Sequence, residues 1–352
     1  MIFINMHILF ACSLVFSELF YMTHAIPLFD EWLNQFHIEV KPTNFAKIYA
    51  NWIDNHKFIE FINGQNLSYT LGHNQYSGMS HNDFIEYIGF QKYEKRTVQT
   101  IHNKKDDYKY NYEMPDSIDW VEFGVVTPVK DQGQCGSCWS FSAIGALESA
   151  YYIETGILRN FSEQQLVDCD RPRYGGKDHG CNGGLMENAF TWIAQNNGIC
   201  SDEDYPYVSG TTMDEGYCDT SCKNVPGTDV FDYIDVAPSS DSAMMNALLE
   251  QPISVGIEAD QREFQLYKSG VFTGTCGTDI DHGVVLVGYG TDEESGLDNY
   301  KIKNSWGKSW GEEGYMRMGR GVEYNEGDGQ CGILLDGINV IITKRIERIL
   351  LR

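Results

Sequence analysis

Apolar and polar positions divide the chain into segments of different texture. The first 25 residues, MIFINMHILFACSLVFSELFYMTHA, hold an apolar run at Ile8–Phe16 that is too short to cross a bilayer, followed by the small-residue pattern Thr23-His24-Ala25. This pattern predicts a cleaved secretory signal over residues 1–25, although a basic n-region is missing. Residues 26–90 read as helical, because Trp52, Asn55, Ile59 and Asn63 recur at spacings of three and four and so share one helix face. Residues 91–113 are charged and lack an apolar period, as expected of a solvated linker open to proteolysis.

From Met114 the chain turns to short strands, many glycines and most of the cysteines. A helix is predicted from Cys138 to about Tyr152, with Ala143, Ile144, Leu147 and Tyr151 on one face. Ser162-Glu163-Gln164-Gln165 fits a capping box that opens a second helix, and Met186–Asn196 reads as a third. Strand-like runs follow at 253–259, 283–290 and 300–306. A helical half followed by a β half predicts an α+β body of two packed lobes with a cleft between them, the helical lobe over about 123–224 and the β lobe over about 225–336. Residues 338–352 are set apart as a basic tail in which Ile342, Ile346, Ile349 and Leu350 fall at helical spacing; a processed or disordered tail is the plainer reading.

Composition narrows the class. The 352 residues are 42% hydrophobic and 13% aromatic, a globular balance. The net charge of −24 argues against nucleic acid and anionic membranes as partners. Residues 114–337 alone carry 37 acidic and 13 basic side chains, which suits work at acidic pH and equally suits plain solubility. Removing the signal removes Cys12 and leaves nine of the ten cysteines, and an odd number in a secreted chain implies one free thiol.

That thiol is sought in GQCGSCWSFS, residues 133–142. A zinc site would need a second close pair, for which only Cys218 and Cys222 qualify, and a thioredoxin-like motif would need a βαβ context. The remaining reading makes one cysteine structural and the other a nucleophile at a helix start, where the macrodipole favours thiolate. A thiolate nucleophile needs a histidine and a group to orient it. His282, in DIDHGVVLVGYG, lies between a polar residue and an apolar strand; Asn304 lies in KNSWGKSWG; Gln132 precedes Cys138 by six residues. Singly, each has a bland reading as a strand-end histidine, a turn asparagine and a loop glutamine.

Together, GQCGSCWSFSAIGALE, FSEQQLVDC, GCNGGL, YPY, DHGVVLVGYG and NSWGKSWGEEGY resemble the papain-like (cathepsin L-like) cysteine peptidases over residues 114–336, and their propeptides over 32–90. The signature C-G-[SA]-C-[WY] has His and Asn 130–150 residues on; the separations here are 144 and 166, the second longer because of extra residues in the loop TDEESGLDN before Asn304. The resemblance implies a papain-like two-lobe fold, a helical lobe packed against a β-barrel-like lobe, preceded by a mostly helical inhibitory propeptide (with linker, 26–113). It implies Cys138 as nucleophile, His282 as its ion-pair partner, Asn304 as the orienting group, Trp306 as its cover, and Gln132 with the Cys138 N–H as oxyanion donors. It implies the disulfides Cys135–Cys181 and Cys276–Cys331, and, through similarity to the falcipain branch, Cys169–Cys218 and Cys200–Cys222, with the swapped connectivity left open.

For substrate, the resemblance implies backbone bonds from Gly183 and Gly184 to an extended peptide, an S2 pocket walled by Leu185, Met186, Gly256 and Gly283, and Asp336 at its floor or facing solvent. In the pocket, Asp336 would admit Arg or Lys beside Leu or Phe. No histidine-bearing occluding insertion is present, which favours an endopeptidase. Implied partners are protein and peptide substrates, the chain's own propeptide and cystatin-like inhibitors, acting on a monomer without metal or cofactor in the lysosome, vacuole or extracellular space. The runner-up is a catalytically silent papain-like binding protein.

The propeptide departs from the family pattern. Asn44 and Ile48 stand where Glu and Arg belong, and Gly78 replaces an aspartate after Gly72, Asn74 and Tyr76. A pH trigger through those charges is therefore not expected. Asn66-Leu-Ser and Asn160-Phe-Ser are candidate glycosylation sequons, the second hindered by the helix cap expected at Ser162.

Overall fold

The computed structural model describes residues 26–89 and 114–342. The signal, the linker at 91–113 and the tail beyond Ile342 lie outside these residues.

The prosegment comprises helix α1 (26–35), α2 (Phe45–Asn63), strand β1 (Tyr69–Leu71) and α3 (His81–Ile88). On α2, Trp52, Asn55 and Ile59 are buried as their spacing predicts. Asn63 instead clasps the backbone of Leu71, donating to its carbonyl at 2.9 Å and accepting from its N–H at 2.8 Å. The missing ion pair is replaced by apolar contact. A β-carbon at Gly78 would stand 2.9 Å from a methyl of Ile48 and 2.8 Å from the Trp32 ring, so isoleucine and tryptophan fill the space of the lost charges.

The body holds β2 (Ile118–Asp119), α4 (Cys138–Thr155), α5 (Glu163–Cys169), α6 (Met186–Gln195), α7 (Ser209–Thr212), β3 (Asp232–Asp235), α8 (Asp241–Glu250), β4 (Ile253–Ile257), α9 (Arg262–Leu266), β5 (Tyr267–Phe272), β6 (His282–Thr291), β7 (Asp298–Lys303), β8 (Tyr315–Gly319) and β9 (Gly337–Ile341). The three expected helices and three expected strands appear within a few residues of their predicted bounds. Two local details differ. Helix α4 is buried all round from Cys138 to Tyr151, not on one face, because it runs through the centre of the molecule. At α5, Ser162 caps Gln165 N–H at 2.9 Å, but the Gln165 side chain turns away to accept from Cys200 N–H, so the capping box forms only by half.

The strands run in the order β1-β5-β8-β7-β6-β4-β9-β3, with β2 beside β6. No pairing joins β1 to β3, so the sheet is open where a barrel-like lobe was expected. Its first strand belongs to the prosegment, which adds itself to the β5 edge through Tyr69 opposite Gly270.

The lobes also interleave more than the sequence halves suggest. β9 lies between β4 and β3, and its Ile338 and Val340 pack with α4 and α6 in the helical core. The boundary placed after residue 337 therefore cuts through a strand paired on both sides: Gly337–Ile341 reads as tail only because its apolar run abuts the basic residues that follow. Four disulfides join Cys135–Cys181, Cys169–Cys218, Cys200–Cys222 and Cys276–Cys331, the connectivity the resemblance implies.

Candidate active site

Cys138 is the one described cysteine outside a disulfide, and it opens α4. The first turn of a helix has N–H groups without intrahelical acceptors and carries positive potential, a setting suited to a sulfur anion. Cys135, three residues earlier, is pinned to Cys181. The two lobes bring histidine to this point. Helix α4 packs on β6, where Ser142 Oγ donates to Val284 O at 2.7 Å. A β-carbon at Gly283 would stand 3.3 Å from the Cys138 carbonyl oxygen. His282, the first residue of β6, is thus held beside the start of α4, 144 residues from Cys138 in sequence.

The ring of His282 is oriented through Asn304. Its Nε2 lies 2.8 Å from Asn304 Oδ1, and that oxygen also accepts from Ser305 N–H at 2.8 Å. Because a backbone N–H can only donate, the Asn304 atom must be the oxygen, and His282 Nε2 must carry a proton. The tautomer that results presents Nδ1 as the basic nitrogen. Trp306 is fully buried and sits on the imidazole with ring centroids 4.8 Å apart. Burial pushes the His282 pKa down to about 4, while the Asn304 bond opposes that shift.

Gln132 is fixed from two sides. Its Oε1 accepts from Ser305 Oγ at 2.7 Å. Its Nε2 donates to Cys135 O at 3.0 Å and to the prosegment carbonyl of Ile88 at 3.3 Å. The next residue, Gly89, caps α3 in the left-handed region (φ 68°) and lies against Gly136, so a side chain there would collide with backbone. On the opposite flank, Phe84 of α3 meets Trp306 edge-on at 5.3 Å, and Tyr76 and Gln75 donate to the Trp306 carbonyl. The prosegment therefore covers the cleft from Gln132 to Trp306.

The residues expected to line the S2 pocket also converge. Gly256 on β4 pairs with Gly283 on β6. A β-carbon at Gly256 would lie 3.4 Å from Asp336 Oδ2, and one at Gly283 would lie 3.2 Å from Met186 Sδ. Leu185 caps α6 beside them, and the Gly183–Gly184 loop leads into it. Of the sequons, Asn66 and Asn160 are both exposed, but Ser162, the hydroxyl of the second, is buried in its cap.

Residues 114–339 match the papain family cysteine protease profile. The chain belongs to the papain family of cysteine proteases. It is 46% identical over 287 residues to cysteine proteinase RD21A of Arabidopsis thaliana, a match that covers 80% of this chain and 58% of that protein. It thus spans somewhat over half the length of that relative. It is 40% identical to cysteine protease XCP2 of the same plant, covering 88% of this chain and 84% of the relative. Among solved structures, the proform of the ragweed pollen cysteine protease Amb a 11 superposes with a TM-score of 0.77 at 34% identity, covering 91% of this chain and 95% of that one. Digestive procathepsin L 3 from Tenebrio molitor larval midgut matches with a TM-score of 0.74 at 33% identity, over 89% and 98%. These proform matches extend over the prosegment of this family member as well as its body.

Two features of this papain-family site were not legible in the sequence. Ser305, which ties Gln132 to the Asn304 turn, sits in NSW next to Asn304 and offers no signal of its own. The second is a buried acid pair, Asp170 and Asp178, under the Gly183–Gly184 loop. Asp178 Oδ1 accepts from Leu185 N–H at 3.0 Å and from Asn188 Nδ2 at 2.9 Å. Burial, then the Asp170 charge, holds the Asp178 carboxyl well above the carboxylate range.

Proposed function

We propose that this chain is the precursor of a cysteine endopeptidase. The observation that carries the proposal is the meeting of Cys138, at the start of α4, with a His282 whose tautomer is set by Asn304. His282 Nδ1 takes the thiol proton, Cys138 Sγ attacks the scissile carbonyl, and the imidazolium returns the proton to the leaving amine. Water then hydrolyses the acyl-enzyme. Gln132 Nε2 and the Cys138 N–H face the developing oxyanion, a contribution of roughly 3 kcal/mol per donor. In the precursor, the Ile88 carbonyl takes that Gln132 donor and burial disfavours the imidazolium, so the prosegment withholds both the oxyanion site and the ion pair.

Labelling tests this reading. Iodoacetamide at about pH 5 barely touches an ordinary thiol of pKa about 8.5. The expected result is no labelling of Cys138 in the intact precursor, and selective labelling after processing near Met114 that an epoxide inhibitor of papain-like enzymes blocks. A processed protein that stays unlabelled is the silent binding module instead.

Within the pocket, Asp336 and Met186 serve P2, and the acid admits Arg or Lys beside Leu or Phe. Asp336→Asn is expected to lower kcat/KM for a P2-Arg peptide about tenfold and leave P2-Leu within about twofold. Equal losses on the two peptides would refute the assignment of Asp336 to the pocket. Four disulfides support a route through the secretory pathway, toward a vacuolar, lysosomal or extracellular site. The exposed Asn66 is the favoured glycan acceptor.

A further inference from the structure

We propose that the outer face of the substrate loop selects an acidic side chain at P3, one residue N-terminal to the S2 occupant. The proposal rests on the peptidase reading above. A cavity of about 490 Å³ opens there, lined by Arg171, Arg173, Asp178, His179, Asn182 and Glu215 among others. It is built onto the loop that carries Gly183 and Gly184: His179 N–H donates to Gly183 O at 2.9 Å, and Asn182 N–H donates to His179 O at 3.0 Å. A strand-like peptide lying along Gly183 and Gly184, with its P2 side chain between Met186 and Asp336, continues past Gly183 toward this cavity.

The charges in the cavity do not cancel. Arg171 is neutralised by an ion pair with Glu215. Asp178 is buried beneath the loop, and its Oδ1 is taken up by Leu185 N–H and Asn188 Nδ2. Arg173 is left over: among the described residues it forms no ion pair with a carboxylate. It is nonetheless held in place, donating to Gly216 O at 3.1 Å, with its guanidinium 4.8 Å from the Tyr174 ring and 5.3 Å from the Tyr217 ring. The two exposed tyrosines and the carbonyl favour one placement of this exposed arginine, so a carboxylate meets a partly ordered fork. The exposed His179 imidazole offers a second N–H at the mouth. In a body with 37 acidic and 13 basic side chains over residues 114–337, this is a local inversion of sign beside the cleft.

The test uses the processed enzyme and three fluorogenic peptides with Leu at P2 that differ only in Glu, Leu or Lys at P3. The expected result is a kcat/KM for the Glu peptide about fivefold above that for the Lys peptide, shrinking in 0.5 M salt. Arg173→Ala is expected to level the two, and Arg173→Glu to favour Lys, with the Leu peptide unchanged in both; epoxide labelling of Cys138 verifies that each variant is folded. Equal turnover of the Glu and Lys peptides by the unaltered enzyme overturns the P3 inference and leaves the peptidase reading standing. Failure to cleave any of the three overturns both.

Discussion

Cys138→Ala is expected to abolish peptide hydrolysis, lowering kcat by at least about 10⁴-fold, while the precursor keeps its fold. The loss is that large because nucleophile and base act as a unit: without sulfur, His282 has no proton to take and no acyl-enzyme forms. Asn304→Ala is expected to cost less, about 10–100-fold, because Trp306 still packs on the imidazole and retains part of its orientation. Folding should survive the cysteine change, since the four disulfides do not involve Cys138 and alanine suits a helix. Residual turnover of the Cys138→Ala enzyme that the epoxide inhibitor still blocks would place the nucleophile elsewhere. The same variant is useful beyond this test, because a precursor that cannot cut itself isolates prosegment detachment from proteolysis.

In that Cys138→Ala precursor, acidification from pH 7 to 5 is expected to raise the equilibrium constant for prosegment detachment about 25-fold. The groups responsible are not the family's charges, which this chain lacks, but two histidines. His56 and His73 lie side by side on the Trp52 indole, with ring centroids 4.9 and 4.5 Å from it, and His56 Nδ1 meets His73 Nε2 at 2.9 Å. One hydrogen bond of this kind tolerates one proton on the pair; a second would set two N–H groups against each other. Burial first, and then the neighbouring His56, pushes His73 down to about 3.

The sign follows from linkage. A prosegment that detaches and unfolds exposes His73 with an ordinary pKa near 6.5, so between about 6.5 and 3 the released state binds a proton that the docked state refuses. Docking is at full strength above 6.5 and weakens as pH falls, by about 2 kcal/mol at pH 5. The surrounding charges are Glu60, 3.7 Å from His56 Nε2, Arg262, which donates to Asn55 at 2.7 Å and pairs with Asp54, and Lys268 against Gly72. Lys268 adds positive charge that opposes a proton on His73. Hydrogen exchange of the α2 and β1 amides reads the detachment. His73→Phe keeps the stack and removes the titration, so its protection factors, corrected for the intrinsic pH dependence of amide exchange, should vary only weakly over this range. An unchanged pH dependence in His73→Phe would remove the histidine pair from the account.

Local chemistry made much of this legible. The spacing of Trp52, Asn55 and Ile59, the glycine-flanked Cys138 at a helix start and the Ser162 cap are each set by residues within a turn or two, so the sequence by itself determined those helices. The odd cysteine count and the motifs around Cys138, His282 and Asn304 pointed to the chemistry proposed, because nucleophile, base and orienting group demand particular residue types. Only the tertiary structure decided the rest, and for one reason: these features arise from contacts between segments far apart in the chain. Packing of α4 on β6 decided that His282 stands beside Cys138, and a central position buried α4 on every side. Pairing with β3 and β4 turned the apparent tail into strand β9. The Ile48–Trp32–Gly78 contact, the Asp170–Asp178 pair and the His56–His73 pair each join residues whose spacing carries no period, and burial first, then the neighbouring group, gave Asp178 and His73 their altered affinity for protons.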